Sequence, residues 1–294
     1  MKILSRLLNN CRKPDRQIGM ELGISGGAVG SRISKMEKLG IIEKFCLKVE
    51  PPLLGLNMFY IVVNSQDQKE IIRNVKLAGM PFTVVPCVGG ITAIGVVVKE
   101  DVQQKIQLLE KLMQNVRVMS VFEADNTKIT HNLTRTDLEI LNQLVKDPRK
   151  RIEHLSKDTE LSTKTINRGL EKLQNNESIQ FTLIFDPSKI EGFLCYAVVA
   201  ITQEDIPKML ERFEKNFSGY YLMKPFLAKN QVVLFLYSDS IFKMDEMTEK
   251  IAKVQGTITT ELFIPKKIDM PSKWLEKRLE TLTKSQTLHI SQVN

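Results

Sequence analysis

Histidine, tryptophan and cysteine are all scarce: the chain of 294 residues holds three His, one Trp and four Cys. Cys11, Cys46, Cys87 and Cys195 lie far apart, with no C-x-x-C spacing and no His beside them, so neither a disulfide framework nor a zinc site is supported. His131, His154 and His289 fall in a predicted linker, on a predicted exposed helix and in the tail, so no catalytic histidine set is expected. Glycine-rich phosphate loops and G-x-S-x-G turns are missing. Long apolar runs are missing too. Residues 93–98 and 196–201 have the length of strands, far below the ~20 residues of a membrane span. MKILSRLLNN turns polar before a signal-peptide core can form. The expectation is a cytoplasmic protein outside the membrane, not an enzyme, with no cofactor and no metal.

What is present is an ordinary globular composition, 43% apolar and 26% charged. Its length suggests two domains, or more if they are small. Lys and Arg exceed Asp and Glu by +8, and the pI near 9.2 hints at a polyanionic partner.

The chain repeats itself. ILSRLLNNCRK (3–13) falls on ILNQLVKDPRK (140–150) at an offset of 137, and the register holds without a gap to Gly55 over Gly192. Val29 lies on Ile166, Ile33 on Leu170, Met36 on Leu173 and Ile42 on Ile179. Identities are few while the apolar positions agree, as expected of two diverged copies of one fold.

Each copy begins with helical periodicity and then changes to short strands. In the first half strands are predicted at 56–63, 82–87, 92–99 and 116–123, with helices at 68–77 and 102–114. In the second, strands are predicted at 194–201, 219–226, 232–237 and 257–264, with helices at 206–216 and 241–254. Residues 126–132 read as a linker. The tail opens at Pro271 and spaces Trp274, Leu275 and Leu279 as a short amphipathic helix expected to pack on the second domain. The fold class is α+β, a tandem repeat of a winged helix-turn-helix followed by a ferredoxin-like β-α-β-β-α-β domain. The expected domains are 1–50, 55–125, 134–187 and 192–268, with a tail at 269–294.

In the first copy, residues 16–22 make a helix, Gly23-Ile24-Ser25 the turn and 26–39 the next helix. Gly23 suits a helix end with positive φ, and Ser25 is a good N-cap. Val29, Ile33 and Met36 form a buried stripe opposite Ser31, Arg32 and Lys35. Residues 40–55 are expected to form two short strands, a wing. Such a unit places its second helix in a major groove, with double-stranded DNA as the partner.

IGMELGISGGAVGSRISKMEKLGII resembles the DNA-binding domain of the Lrp/AsnC (feast/famine) transcription regulators, and the domain after it resembles their ligand-binding and oligomerisation unit. The tandem arrangement is similar to archaeal-type chains of that family. The resemblance implies a cap role for Ser25, and recognition-helix roles for Arg32 and Lys35. In the second copy it implies a cap at Ser162 and helix roles for Thr165, Asn167 and Arg168, beside Thr163 and Lys164. It also implies an amino acid or related small effector near the turn that holds Gly89, Gly90 and Thr92, for which a tight turn needing positive φ is the simpler explanation. Sheet units are expected to pair, either in a homodimer or as a pseudo-dimer inside the chain.

Departures from the family pattern matter. Gly26, Gly27 and Gly30 stand where side chains would read bases, and the acidic lead-in 136–139 of the second copy has no counterpart before Lys2, so the first helix should be short. Residues 1–50 hold ten basic against five acidic residues, while 134–187 hold nine of each. The first unit is therefore expected to supply phosphate attraction and the second the choice of sequence. Alternatives are a non-DNA sensor or assembly protein and a siroheme-decarboxylase-like enzyme, the latter disfavoured because neither sheet domain contains His.

Overall fold

The computed structural model describes residues 2–65, 67–99, 101–114, 116–123, 133–228 and 230–291, with side chains as far as 284. The predicted linker at 126–132, with His131, and the side chain of His289 lie outside them. His154 is exposed, as expected.

Three helices open the chain, α1 (Lys2–Asn9), α2 (Asp15–Leu22) and α3 (Gly26–Lys38), followed by strand β1 (Ile42–Val49). A sheet unit follows: β2 (Asn57–Asn64), α4 (Gln68–Ala78), β3 (Met80–Pro86), β4 (Ile91–Val98), α5 (Val102–Leu112) and β5 (Arg117–Glu123). The second half repeats this with α6 (Arg135–Leu144), α7 (Ile152–Thr159), α8 (Thr163–Gln174) and β6 (Ile179–Phe185). Its sheet unit comprises β7 (Leu194–Thr202), α9 (Ile206–Phe217), β8 (Phe226–Ala228), β9 (Gln231–Ser238), α10 (Ile241–Ala252) and β10 (Thr257–Phe263), and α11 (Lys273–Ser291) closes the chain.

Both sheets have the ferredoxin-like order, β3-β4-β2-β5 and β10-β7-β9-β8, all antiparallel. Alternation along each strand decides what its faces cover. Phe59, Ile61, Val63, Ile94 and Val96 meet α4 and α5. Tyr196, Val198, Val232 and Leu234 meet α9 and α10. The intervening residues, among them Tyr60, Val62, Ala197 and Phe235, turn to the other sheet, so both faces of each sheet are covered. Tyr60 reaches Phe226 across this layer with ring centroids 6.2 Å apart. The sheet units thus pair inside one chain.

Three expectations need correction. The predicted wing of two strands does not form. β1 is one eight-residue strand whose partner is β6 of the other half, in register from Ile42 on Phe185 to Val49 on Ile179. Pro51 and Pro52 lack backbone donors and turn the chain into a 3-10 segment that ends at Gly55 with φ 69°, so no second strand returns. The strand predicted at 219–226 is mostly irregular. Ser218–Tyr220 continues α9 as a 3-10 turn, Tyr221 makes one bridge to Leu236, and Pro225 has no N–H to add to a ladder, which leaves only the three residues of β8. The tail helix is long, and it packs away from the second sheet domain. Trp274 stacks edge-on against Phe82 of β3 at 6.4 Å, Asn142 of α6 donates to Thr283 at 2.9 Å, and the Arg278 guanidinium donates to the Leu54 carbonyl at 2.8 Å. Residues 264–270 carry the chain there along the edge of β3, with Val84 and Asp269 exchanging backbone hydrogen bonds of 2.9 Å.

Each helical unit leans on the opposite half. The α1–α3 core of Leu4, Leu7, Ile18 and Val29 merges with Leu183, Phe193 and Leu222. The α6–α8 core of Leu138, Leu141, Ile166 and Leu170 merges with Leu53, Leu56 and Phe82.

Candidate nucleic-acid interface

The α2–α3 corner is built as its sequence requires. Gly23 ends α2 at φ 69°, its N–H donating to the Gly19 carbonyl, and the Ser25 hydroxyl accepts from the Ala28 N–H at 3.1 Å. Val29 and Ile33 are buried, and Met36 is partly buried. Gly26 turns out to serve packing. A Cβ on Gly26 would stand 3.0 Å from the Arg16 backbone, so this glycine allows α2 and α3 to cross closely, while one on Gly30 would meet only the Asp15 carboxylate, at 3.0 Å. Only Gly27 faces open space. The exposed surface of α3 therefore consists of Gly27, Ser31, Arg32, Ser34, Lys35, Glu37 and Lys38.

In the second copy the Ser162 hydroxyl caps α8 through the Thr165 N–H at 3.1 Å and meets the Thr165 hydroxyl at 2.8 Å. Thr165 is thereby half-buried and engaged, whereas Thr163, Lys164, Asn167 and Arg168 are exposed. Asn167 donates to the Thr163 carbonyl at 3.0 Å, a local contact it can exchange for an external one. Gly169 lets α8 approach α6, since a Cβ there would meet Ile140. Arg32, Lys35, Lys38, Lys164 and Arg168 have no ion-pair partner among the described residues. Five cations on two capped helices are free to meet phosphates or base edges.

The two helical units are locked by residues that periodicity did not single out. Arg12 and Arg149 occupy the same position of the repeat, and each reaches into the other unit. The Arg12 guanidinium donates to the Pro148 and Lys150 carbonyls at 2.6 and 3.0 Å and lies 5.9 Å from the Phe181 ring centroid. Burial pulls its pKa below the usual arginine range, with Cys11 and Asp147 opposing. Arg149 pairs with Asp15 at 3.1 Å and stacks over Phe45 at 4.8 Å. Asn10 donates to Gln174 at 2.9 Å, and the Cys11 N–H to the Phe181 carbonyl at 2.9 Å. The available signal was the shared Arg-Lys of CRK over PRK, charged residues that the two copies keep in common just after their first helix. Lys48 joins the ribbon to the sheets, its ammonium 3.7 Å from the Phe226 ring centroid.

At the β3–β4 turn Gly89 and Gly90 both adopt φ 78°, and Gly89 faces open space. The Val88 N–H donates to the Ile264 carbonyl at 2.9 Å, tying the turn to the second half. Thr92 is 1% exposed with its hydroxyl buried. It alternates with Ala93, so it faces the helices, while Ala93 lines the cavity between the sheets. That cavity is wholly apolar, with about 70 Å³ of room for water-sized molecules. Among the described residues no group of His, Cys, Asp and Glu is placed to hold a metal, and no helix is long and apolar enough to cross a membrane.

Comparison with known proteins agrees with this construction. Residues 1–37 match the AsnC-type helix-turn-helix domain. The HTH-type transcriptional regulator Ptr1 of Methanocaldococcus jannaschii is 30% identical over 122 residues, covering 40% of this chain and 82% of that protein. The HTH-type transcriptional regulator LrpA of Pyrococcus horikoshii is 35% identical over 77 residues, 25% of this chain and 55% of that one. In three dimensions the chain superposes on the siroheme decarboxylase NirDL with a TM-score of 0.50, covering 99% of this chain and 98% of that one at 14% identity, a likeness of fold. The tandem of helix-turn-helix and ferredoxin-like units is common to both.

Proposed function

The chain belongs to the Lrp/AsnC family of helix-turn-helix transcription regulators, and from that premise we propose that one chain docks both its recognition helices on duplex DNA as a sequence-specific regulator. The observation that carries this reading is the junction. The β1–β6 ribbon and the Arg12 and Arg149 contacts join the units that carry α3 and α8 within one chain, where a family dimer would need two.

The exposed set on α8 supports a base-reading role. Arg168 suits guanine, Asn167 suits adenine and Thr163 suits either. α3 offers Ser31, Arg32 and Lys35 beside Gly27, in the half that carries most of the positive charge, which supports phosphate attraction as its larger part. A small effector is proposed to act near the Gly89-Gly90 turn, supported by its tie to the second half through the Val88 N–H and the Ile264 carbonyl. A catalytic role is not part of the proposal. None of the three His falls within either sheet unit, and the inter-sheet cavity is lined mainly by aliphatic and aromatic side chains, with Tyr60 and Thr83 the hydroxyl-bearing residues among them and no charged residue.

The test is titration of the full chain against a genomic duplex library over a salt series. A steep fall of log K with log salt is expected. Arg168→Ala should flatten sequence preference by about 1 to 3 kcal/mol at one position, while Lys35→Ala should weaken all sequences alike. No duplex binding at low salt would refute the reading. Point substitutions are required, because removing residues 1–50 would strip β1 from β6.

A further inference from the structure

The first turns of the two recognition helices are furnished differently. In α8 that turn carries Thr163 and Lys164, both exposed, whereas in α3 the aligned residues are Gly26 and Gly27. The preceding helices differ as well. Arg16 of α2 aligns with Glu153 of α7. In the first unit the arginine and the missing side chain are neighbours. A Cβ on Gly26 would stand 3.0 Å from the Arg16 Cα and 3.5 Å from its Cβ, while one on Gly27 would meet nothing within 4 Å. Arg16 therefore leaves α2 at the place where a side chain at position 26 would leave α3, and the space over the next residue of α3 is open.

Arg16 is also placed against its own helix. It lies in the first turn of α2, where the helix dipole disfavours a cation, and no side chain caps that end. The acidic residue of the same turn, Asp15, is engaged by Arg149 at 3.1 Å. Glu153, in the first turn of α7, has the sign that the dipole prefers. Arg16 is exposed and has no ion-pair partner among the described residues. A free cation held where folding gains nothing from it, beside the start of a recognition helix, breaks a local rule in the way that binding residues do.

We infer, given the duplex binding proposed for the chain, that Arg16 reads a guanine in the half-site under the first unit, supplying from α2 the contact that the first turn of α3 has no side chains to make. In a helix-turn-helix the first helix crosses the backbone and the start of the second faces base edges, so a residue of the first that stands at the start of the second lies at the rim of the groove. A guanidinium there meets the O6 and N7 of guanine with two parallel N–H donors, and Gly26 and Gly27 put no side chain in its way. The first unit then chooses a base with α2 while Arg32 and Lys35 of α3 attract phosphates, and the second unit chooses with α8. Because the two units read with different residues, the duplex that one chain prefers is not a palindrome.

The test is selection by the full chain from a duplex library randomised over both half-sites, followed by competition with every single-base variant of the tightest site. The wild type is expected to require a guanine that Arg16→Ala no longer selects, with discrimination at that pair falling about tenfold or more and little change at the others. Arg16→Lys should keep the slope of log K against log salt and lose most of that discrimination, because an ammonium lacks the planar fork. Gly27→Glu, whose side chain enters open space, should pair with Arg16 and abolish the same preference. Urea unfolding checks that each variant folds, and Arg16→Ala should match or exceed the wild type there. If Arg16→Ala weakens every sequence alike, with a salt slope smaller by about one, Arg16 holds a phosphate and the inference is overturned while duplex recognition stands. Retention of every base preference in Arg16→Ala overturns it too. Absence of duplex binding by the wild type refutes the proposed function itself, and the role of Arg16 with it.

Discussion

Replacing Arg12 by Ala removes the single side chain that enters the second helical unit from the first with two carbonyl contacts. Hydrogen bonds from a charged donor contribute about 1.5–3 kcal/mol, and here both run from one nitrogen at 2.6 and 3.0 Å, so they count as one strong interaction. The guanidinium over Phe181 adds about 0.5–1 kcal/mol. The expected cost is therefore about 2–4 kcal/mol. Arg149→Ala removes a half-exposed ion pair with Asp15, which is discounted to ~1 kcal/mol or less by solvent, and a closer ring contact, for about 1–2 kcal/mol in all. Two positions equivalent in the repeat should thus differ about twofold. Urea unfolding followed by circular dichroism measures both, and hydrogen exchange of the Cys11 amide, which donates to Phe181, places the loss at the junction. Arg12→Lys should recover little, because an ammonium cannot present the planar fork. An Arg12→Ala cost below about 0.5 kcal/mol, or an equal cost at Arg149, would refute a junction fixed by this arginine.

All four cysteines are buried, and burial pushes the thiols of Cys11, Cys46, Cys87 and Cys195 each up to about 12. Because the thiolate is the reactive form, a disulfide reagent at pH 8 should label none of them until denaturant is added; rapid labelling of the native chain would contradict their placement. Glu160 stands where the first copy has Gly23, and it is held at φ 59°. Glu160→Gly should raise stability by about 0.5–1 kcal/mol in the same urea experiment, and a loss of stability would show that the Glu side chain contributes more than its backbone strain costs.

Much of this architecture was legible because it is written in local chemistry. Ser25 and Ser162 announce their helices, Gly23 its turn, and the ungapped offset of 137 joins the copies. The failures share a cause, since each depends on a partner far along the chain. β6 is buried on both faces along its whole length and β1 on both faces at Cys46 and Leu47, so alternation could not say which strand each would meet, and adjacency suggested a hairpin that Pro51 and Pro52 forbid. Trp274, Leu275 and Leu279 announced an amphipathic helix, but their seat between α6 and β3 is set by the path of residues 264–270 along the edge of β3. At the interface the three glycines of α3 read as missing side chains. Gly26 is instead the condition for α2 and α3 to approach, a role visible only once the Arg16 backbone is placed opposite it.

The central claim is that a single chain presents two recognition helices to one duplex. Hydroxyl-radical footprinting at one chain per duplex, on the tightest fragment from the library, tests it most directly. Two protected patches about one helical turn apart, 10 to 10.5 base pairs between centres or a multiple of it, are expected at that stoichiometry. Arg168→Ala should blur one patch and spare the other. A single patch per chain, or a pair that appears only when two chains are bound, would contradict the claim.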